Sequence, residues 1–325
     1  MKENKAKLLL SKSSLEFLPR LSEYLGGAKI FIKRDDEGGR SGGGNKLRKY
    51  ERIIGDAIAT NCDTLIIAGH FQSNAARELV GSACQLGLKS IVVCKELIPN
   101  QNEIFLKNGN ALLMNLMGAE LVTINKNDDF TKAMQIVAEQ ITEKGGKPYI
   151  IPFGGSNLLG SLGYVDCLNE IKEQAEIETD YIFTPIGSGG TQAGLIAGVV
   201  KNNMKTTVIG VSVLHKKEVA QKIVEELANE TLKFLSSENT SLGKVFIDDN
   251  YIGEGYGITT EESIETIKLL AKLEGIFLCP VYTAKAMTGL IEYVKSGKIK
   301  KDENIIFIHT GGSPLIYAYY DKLFE

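Results

Sequence analysis

The chain reads as an α/β protein built on two doubly wound, mostly parallel sheet domains. Three observations lead there. Short β-rich apolar runs alternate with helical patterns through the first half, the same order returns in the second half, and the glycine-rich loops fall directly after predicted strands. A strand that must be followed by a helix before the next parallel strand gives this βαβ rhythm, and in such folds ligands sit beyond the carboxyl ends of the strands.

In order, Leu47 to Thr60 has the pattern of a helix, opened by the stretch Ser41-Gly42-Gly43-Gly44-Asn45-Lys46. Leu65–Ala68 is a predicted strand followed by a helix from Ala75 to Leu86, and Ser90–Cys94 a strand followed by a helix from Asn110 to Met117. Glu120–Ile124 is a strand leading to a helix from Asp129 to Lys144, and Tyr149–Pro152 closes the first series. In the second half, Tyr181–Thr184 enters the loop Gly187-Ser188-Gly189-Gly190-Thr191 and a helix from Ala193 to Lys201. Thr207–Val211 is a strand, Lys216 to Phe234 a long charged helix, Glu261 to Glu274 a helix, and Ile305–Ile308 a strand ending at His309-Thr310-Gly311-Gly312. No internal repeat and no low-complexity segment stands out.

The bulk composition narrows the function classes. The chain has 325 residues, enough for two domains, with 43% hydrophobic and 24% charged residues, ordinary values for a water-soluble globular protein. A net charge of -3 without a long basic run gives no nucleic-acid signal. The five cysteines are scattered, odd in number and without a CxxC pair, which suits reduced thiols. The histidines, His70, His215 and His309, lack metal-ligand spacing, so no metal is expected. No apolar run reaches membrane-spanning length, and Met1 to Lys5 is followed only by a three-leucine run, too short for a leader's apolar segment. The expected location is the cytoplasm.

Two glycine loops carry the chemistry. Lys46 stands between a glycine-rich bend and a helix, where an amine can be aimed into a cleft; a lysine in a partly dry cleft is the group that forms Schiff bases. Gly187, Ser188, Gly189, Gly190 and Thr191 join an apolar strand to a helix, so backbone N–H groups, the helix N-terminus and two hydroxyls make an anion site. The alternative is a tight turn with a Ser/Thr cap. Rival phosphate motifs fail: a dinucleotide fingerprint meets Gln192 where its third glycine belongs, and a P-loop would need Gly before Lys46 and Ser or Thr after it, where Asn45 and Leu47 stand. An imine-forming lysine beside a separate phosphate cradle is what pyridoxal 5′-phosphate (PLP) requires.

Further candidates sit in loops. Gly69-His70-Phe71-Gln72-Ser73-Asn74 follows a strand and precedes a helix; Ser73 and Asn74 are either N-caps or a polar cluster whose free N–H groups hold a substrate carboxylate while an amide bonds the cofactor. Tyr256, in Gly255-Tyr256-Gly257, and Tyr282, in Pro280-Val281-Tyr282-Thr283, lie in breaker-rich loops; packing and functional readings both stay open for them.

Together these segments resemble the D-cysteine desulfhydrase and 1-aminocyclopropane-1-carboxylate deaminase family, PLP enzymes of the tryptophan-synthase-β type (fold type II). The likeness runs from Ile32-Lys33-Arg34-Asp35-Asp36 through Gly43 to Lys49, Gln72-Ser73-Asn74, Gly187 to Gly194, Gly255-Tyr256-Gly257 and Pro280 to Met287, to His309-Thr310-Gly311-Gly312. The resemblance implies that Lys46 is the Schiff-base lysine and moves protons at Cα. It implies that Asn74 bonds the PLP ring hydroxyl oxygen and that Gly187 to Thr191 hold its phosphate. Ser73 would bind the substrate carboxylate or assist proton transfer, and Tyr256 and Tyr282 would flank the substrate and assist the leaving group. It implies a large domain of residues 1–47 and 156–325, an inserted domain of residues 48–155, an active site in the cleft between them, and a homodimer.

Deaminases of this family carry Glu after the tyrosine of the Pro-Val-Tyr motif, and Leu before the Gly-Gly pair; this chain has Thr283 and Thr310, pointing to the desulfhydrases. A carboxylate near the pyridine nitrogen makes a stronger electron sink than a threonine does, and a weaker sink suffices where a good leaving group sits on Cβ. The expected activity is a carbon–sulfur lyase turning D-cysteine into pyruvate, ammonia and hydrogen sulfide. The deaminase, a cysteate-type sulfo-lyase and a non-catalytic PLP-binding sensor are the alternatives. Ala75, at the substrate end, and His70-Phe71, Cys279 and Ala284 depart from the family pattern.

Overall fold

The computed structural model describes residues 4–98, 102–236 and 241–324; Met1 to Glu3, part of the segment read for a leader, lie outside them. The chain runs β1 (Leu15–Phe17), α1 (Pro19–Tyr24), β2 (Lys29–Lys33), α2 (Lys46–Ala59), β3 (Thr64–Gly69), α3 (Asn74–Leu86), β4 (Lys89–Cys94), α4 (Glu103–Lys107), α5 (Gly109–Leu116), β5 (Glu120–Thr123), α6 (Phe130–Glu143) and β6 (Pro148–Ile150). It continues through α7 (Leu158–Gln174), β7 (Tyr181–Ile186), α8 (Gly190–Lys201), β8 (Thr207–Ser212), α9 (Lys217–Leu235), β9 (Phe246–Asp248), α10 (Glu261–Glu274), α11 (Thr283–Lys295), β10 (Asn304–Ile308), α12 (Leu315–Ala318) and α13 (Tyr320–Phe324).

Two sheets result, as the alternation predicts. The first has the order β1-β2-β10-β7-β8-β9, parallel except for β1 at its edge. The second has the order β5-β4-β3-β6 and is wholly parallel. Each is covered on both faces. One side of the larger sheet buries Ile30, Phe183 and Phe307 against α1, α10 and α11; the other buries Ile182, Ile306 and Ile308 against α7, α8 and α9. The smaller sheet packs Leu65, Ile67 and Val92 against α2 and α3, and Ile66 and Val93 against α6. Burial on both faces explains why these strands are continuous apolar runs rather than alternating ones. Each fully buried Ile or Phe contributes about 1.5–3 kcal/mol.

Several elements carried no clear sequence signal. Helices α7 and α11 are the important ones. In α11 the run Thr283 to Leu290 is buried without a break, and α7 buries Gly160 to Val165 before packing against α2 and α8. A helix enclosed on most sides loses the apolar stripe by which a surface helix is read. Helix α8 starts three residues before the expected Ala193, because Gly190 to Gln192 form its first turn.

A buried charge network anchors α2 to the larger sheet. Arg48 Nε donates to both Asp35 oxygens (2.9 and 3.0 Å), and its two terminal nitrogens donate to Glu170 on α7 (2.9 and 2.8 Å). Tyr164 donates to Asp35 at 2.6 Å, and Lys33 donates to Glu170 at 3.1 Å. Burial alone would raise the Asp35 carboxyl, but Arg48, Tyr164 and Ser13 hold it below its usual range.

Candidate active site

The loops after β3, β6, β7 and β10 meet at one cavity of about 210 Å³. Its position beyond strand carboxyl ends is the one the fold class predicts. Lys46, Ser73, Asn74, Gly187, Ser188, Gly189, Thr191, Tyr256, Tyr282 and Thr310 all line it. Gly190 and Thr283 stand behind this wall. Gly190 opens α8 and donates its N–H to Ser156 Oγ at 3.1 Å, while the Thr283 hydroxyl accepts the Cys279 N–H at 2.6 Å inside the core. Of the two threonines that distinguished desulfhydrases from deaminases, only Thr310 faces the cavity.

Lys46 is held by groups remote in sequence. The loop before it and the loop after β10 pass in contact: a Cβ at Gly311 would lie 2.7 Å from Gly44 Cα, and Gly44 itself has φ +135° with the Glu78 carboxylate where its Cβ would be. Only glycine fits either position. Arg77 on α3 donates to the carbonyls of Ser41 and Gly43. Its neighbour Glu78 accepts the N–H groups of Lys46 (2.8 Å) and Leu47 (3.2 Å), capping α2 from outside where Asn45 supplies no side-chain cap. The Lys46 ammonium donates to Asn45 Oδ1 at 2.8 Å, and Asn45 Nδ2 donates to Thr191 at 3.0 Å, so one amide links the amine to the phosphate loop. Burial pushes the Lys46 pKa down, against the Glu78 carboxylate, which favours the neutral nucleophilic amine.

The loop after β7 gathers donors that could hold an anion. Ser188 and Ser156 share a hydrogen bond of 2.7 Å, and the buried Lys49 donates to Ser156 Oγ at 3.1 Å and to the Gly154 carbonyl at 3.3 Å. Burial first, and Lys46 second, pushes the Lys49 pKa well down, which disfavours its charged form until an anion beside it supplies counter-charge. First-turn N–H groups, three hydroxyls and a lysine make a donor set suited to a phosphate. Sequence reading missed Lys49 and Ser156. Lys49 lies three residues after Lys46 on the same helix face, a signal that was available; Ser156 follows β6, remote in sequence from Lys49.

At the other end, Asn110 Nδ2 donates to Asn74 Oδ1 at 2.7 Å, which turns the Asn74 amide nitrogen toward the cavity and Cys279. Ser73 is the N-cap of α3, its hydroxyl accepting the Ala76 N–H at 3.2 Å. The expectation of free N–H groups across this segment is corrected here: Gln72 donates to His70 Nδ1 (3.1 Å) and Ser73 to the His70 carbonyl (2.9 Å). The first-turn positions Asn74 and Ala75 remain at the cavity wall. Tyr256 and Tyr282 are joined hydroxyl to hydroxyl at 2.6 Å, and His70 Nε2 meets Tyr256 at 3.0 Å. Buried Lys285 pins the Tyr256 loop by donating to the carbonyls of Ile252 (2.6 Å) and Gly255 (3.3 Å), its pKa lowered to about 8 by burial.

A buried lysine beside a donor set suited to a phosphate, at the mouth of parallel strands, suits a PLP-dependent enzyme of fold type II. The chain belongs to the family described as pyridoxal-phosphate dependent enzyme, whose profile matches residues 7–311, and pyridoxal phosphate is its cofactor. More particularly, it is similar to a solved structure described as an ACC (1-aminocyclopropane-1-carboxylate) deaminase homologue, at 35% identity and a TM-score of 0.91, over 99% of this chain and 96% of that one. That likeness fits the group of ACC deaminases and D-cysteine desulfhydrases. Two more distant structures share the fold. A hydrogen sulfide-producing enzyme from Fusobacterium nucleatum has 14% identity and a TM-score of 0.68, covering 94% of this chain and 97% of that one. Threonine deaminase isoform 2 from Solanum lycopersicum has 20% identity and a TM-score of 0.69, covering 97% and 83%. Among the described residues no helix is long and apolar enough to cross a membrane.

Proposed function

We propose that this enzyme is a carbon–sulfur lyase that carries out β-elimination on a small amino acid, with D-cysteine and one water consumed and pyruvate, ammonia and hydrogen sulfide as products. The observation that carries this reading is the composition of the cavity wall: Lys46 and a tyrosine pair face one space that, among the described residues, no carboxylate side chain lines, with Thr310 in the wall. Lys46, Lys49, Asn74 and the Gly187 to Thr191 loop would hold PLP, which when bound supplies an electron sink for the substrate's Cα. The first-turn N–H groups of α3, at Asn74 and Ala75, would take the substrate carboxylate. Lys46 removes the Cα proton. Tyr282 holds a hydrogen at the β substituent; as the Cβ–S bond breaks, sulfur keeps the bonding electron pair and takes that proton.

The 35% likeness to a deaminase homologue favours a second reading, opening of the ACC ring. Initial rates of product formation on D-cysteine, L-cysteine, cysteate and ACC separate the two readings. D-cysteine should be turned over fastest; a preference for ACC would overturn the lyase reading. No turnover with any of them, cofactor bound, would point to a PLP-binding sensor. Lys46→Ala should abolish turnover together with the visible absorbance of lysine-bound cofactor, and retention of both would overturn the assignment of Lys46.

A further inference from the structure

His70 sits directly after β3, is 5% exposed, and uses both ring nitrogens. Its Nδ1 receives the backbone N–H of Gln72 at 3.1 Å. A backbone amide only donates, so Nδ1 is unprotonated and the ring hydrogen of the neutral imidazole lies on Nε2. That nitrogen is 3.0 Å from the Tyr256 hydroxyl, which therefore accepts. Tyr256 must send its own hydrogen onward, and the group in reach is the Tyr282 oxygen at 2.6 Å. Tyr282 then accepts within the chain of bonds and keeps its own hydrogen for the cavity it lines.

We propose that His70 is a positioning residue that sets the direction of this hydrogen-bond chain, His70 to Tyr256 to Tyr282, so that Tyr282 and not Tyr256 presents its hydrogen to the substrate. The proposal rests on the lyase reading for its kinetic consequence but not for its geometry. The surroundings agree. Burial lowers the His70 pKa to about 4, so the ring stays neutral at pH 7. Burial raises both phenols, but Tyr282, whose oxygen receives the Tyr256 hydrogen, only to about 12, and Tyr256 well above its usual value. Tyr282 is the better acid of the pair. The imidazole edge also packs on the Tyr256 ring, with centroids 5.6 Å apart at 79°. No other charged or titratable side chain is hydrogen-bonded to His70 among the described residues.

The chain has three histidines, so nitrogen-15 NMR of histidine-labelled holoenzyme at pH 7 reads the tautomer directly. His309 also accepts a backbone N–H at Nδ1, from Gly311, and the His70→Gln spectrum separates the two signals. A neutral His70 protonated on Nε2 is expected; an Nδ1–H tautomer or an imidazolium overturns the proposal whatever the activity. In kinetics, His70→Phe should lower kcat for D-cysteine about tenfold while KM stays within about twofold, and His70→Gln, which keeps a donor toward Tyr256, should recover most of the loss. With Tyr256 already replaced by Phe, His70→Phe should cost nothing further. Equal losses in both backgrounds would mean that His70 acts on packing alone and would overturn the proposal. Absence of turnover in the unmutated enzyme would instead count against the lyase reading, and the tautomer measurement would still decide the role of His70.

Discussion

At the scale of single residues, the site is made by groups whose partners are far away in sequence. Lys46 could be read because its environment is local: a glycine bend, then a helix. Lys49 and Asn45, a few positions away, acquire their meaning from Ser156 and Thr191, more than a hundred residues on. Asn110 acquires its role from Asn74 and Gln72, which it faces, and His70 was visible in the sequence as a member of the loop after a strand and as a departure from the family pattern. If Lys49 is part of the phosphate cradle, Lys49→Met should raise the dissociation constant for PLP about tenfold, the order expected for one charge-assisted contact to an anion. An absorbance titration measures it, and unchanged affinity would remove Lys49 from the cradle.

At the scale of elements, β3, β4, β7, β8 and β10 were legible as apolar β-branched runs, and α2, α3, α6, α9 and α10 through their apolar stripes. Helices α7 and α11 were not, because the long unbroken buried runs Gly160 to Val165 and Thr283 to Leu290 blur the apolar stripe. The sequence around Lys285, Thr283-Ala284-Lys285-Ala286-Met287, reads as a motif, yet the lysine's task appears only when α11 is packed under the loop of Tyr256. Lys285→Met should leave two buried carbonyls without their donor, costing about 1–3 kcal/mol in urea unfolding, and should lower kcat by letting Tyr256 shift. A variant as stable and active as the parent would show that the loop holds itself.

At the scale of the whole molecule, the Asp35–Arg48–Glu170 network ties the helix that carries Lys46 to α7 and the larger sheet. Arg48→Met would leave the Asp35 carboxylate buried beside Tyr164 without its cation, a loss of about 3–5 kcal/mol in denaturant unfolding. The same pair gives a pH dependence of definite sign. Asp35 has a folded pKa below its unfolded value, so its contribution is present above about pH 4 and is lost as pH falls through the folded value. Stability measured downward from pH 6 should therefore fall more steeply in the parent than in Arg48→Met. We also propose that residues 1–47 with 156–325, and residues 48–155, form the two folding units; hydrogen exchange resolving two cooperative openings at that division would support it, and a single global opening would not.

What the sequence determined by itself was the alternation of strands and helices, the two glycine loops, the amine between bend and helix, and thereby the class of cofactor. These are properties of neighbouring residues: periodicity, backbone freedom and the chemistry of one side chain. What only the tertiary structure decided was which groups share the cavity. It set Thr283 behind the wall and Thr310 in it, made Ser73 a cap, brought Lys49 and Ser156 to the phosphate loop, and joined His70 to the tyrosine pair. Such juxtapositions arise from two sheets packing helices on both faces and meeting at their strand ends. A hydrogen bond across more than a hundred residues leaves no local trace in the chain that makes it.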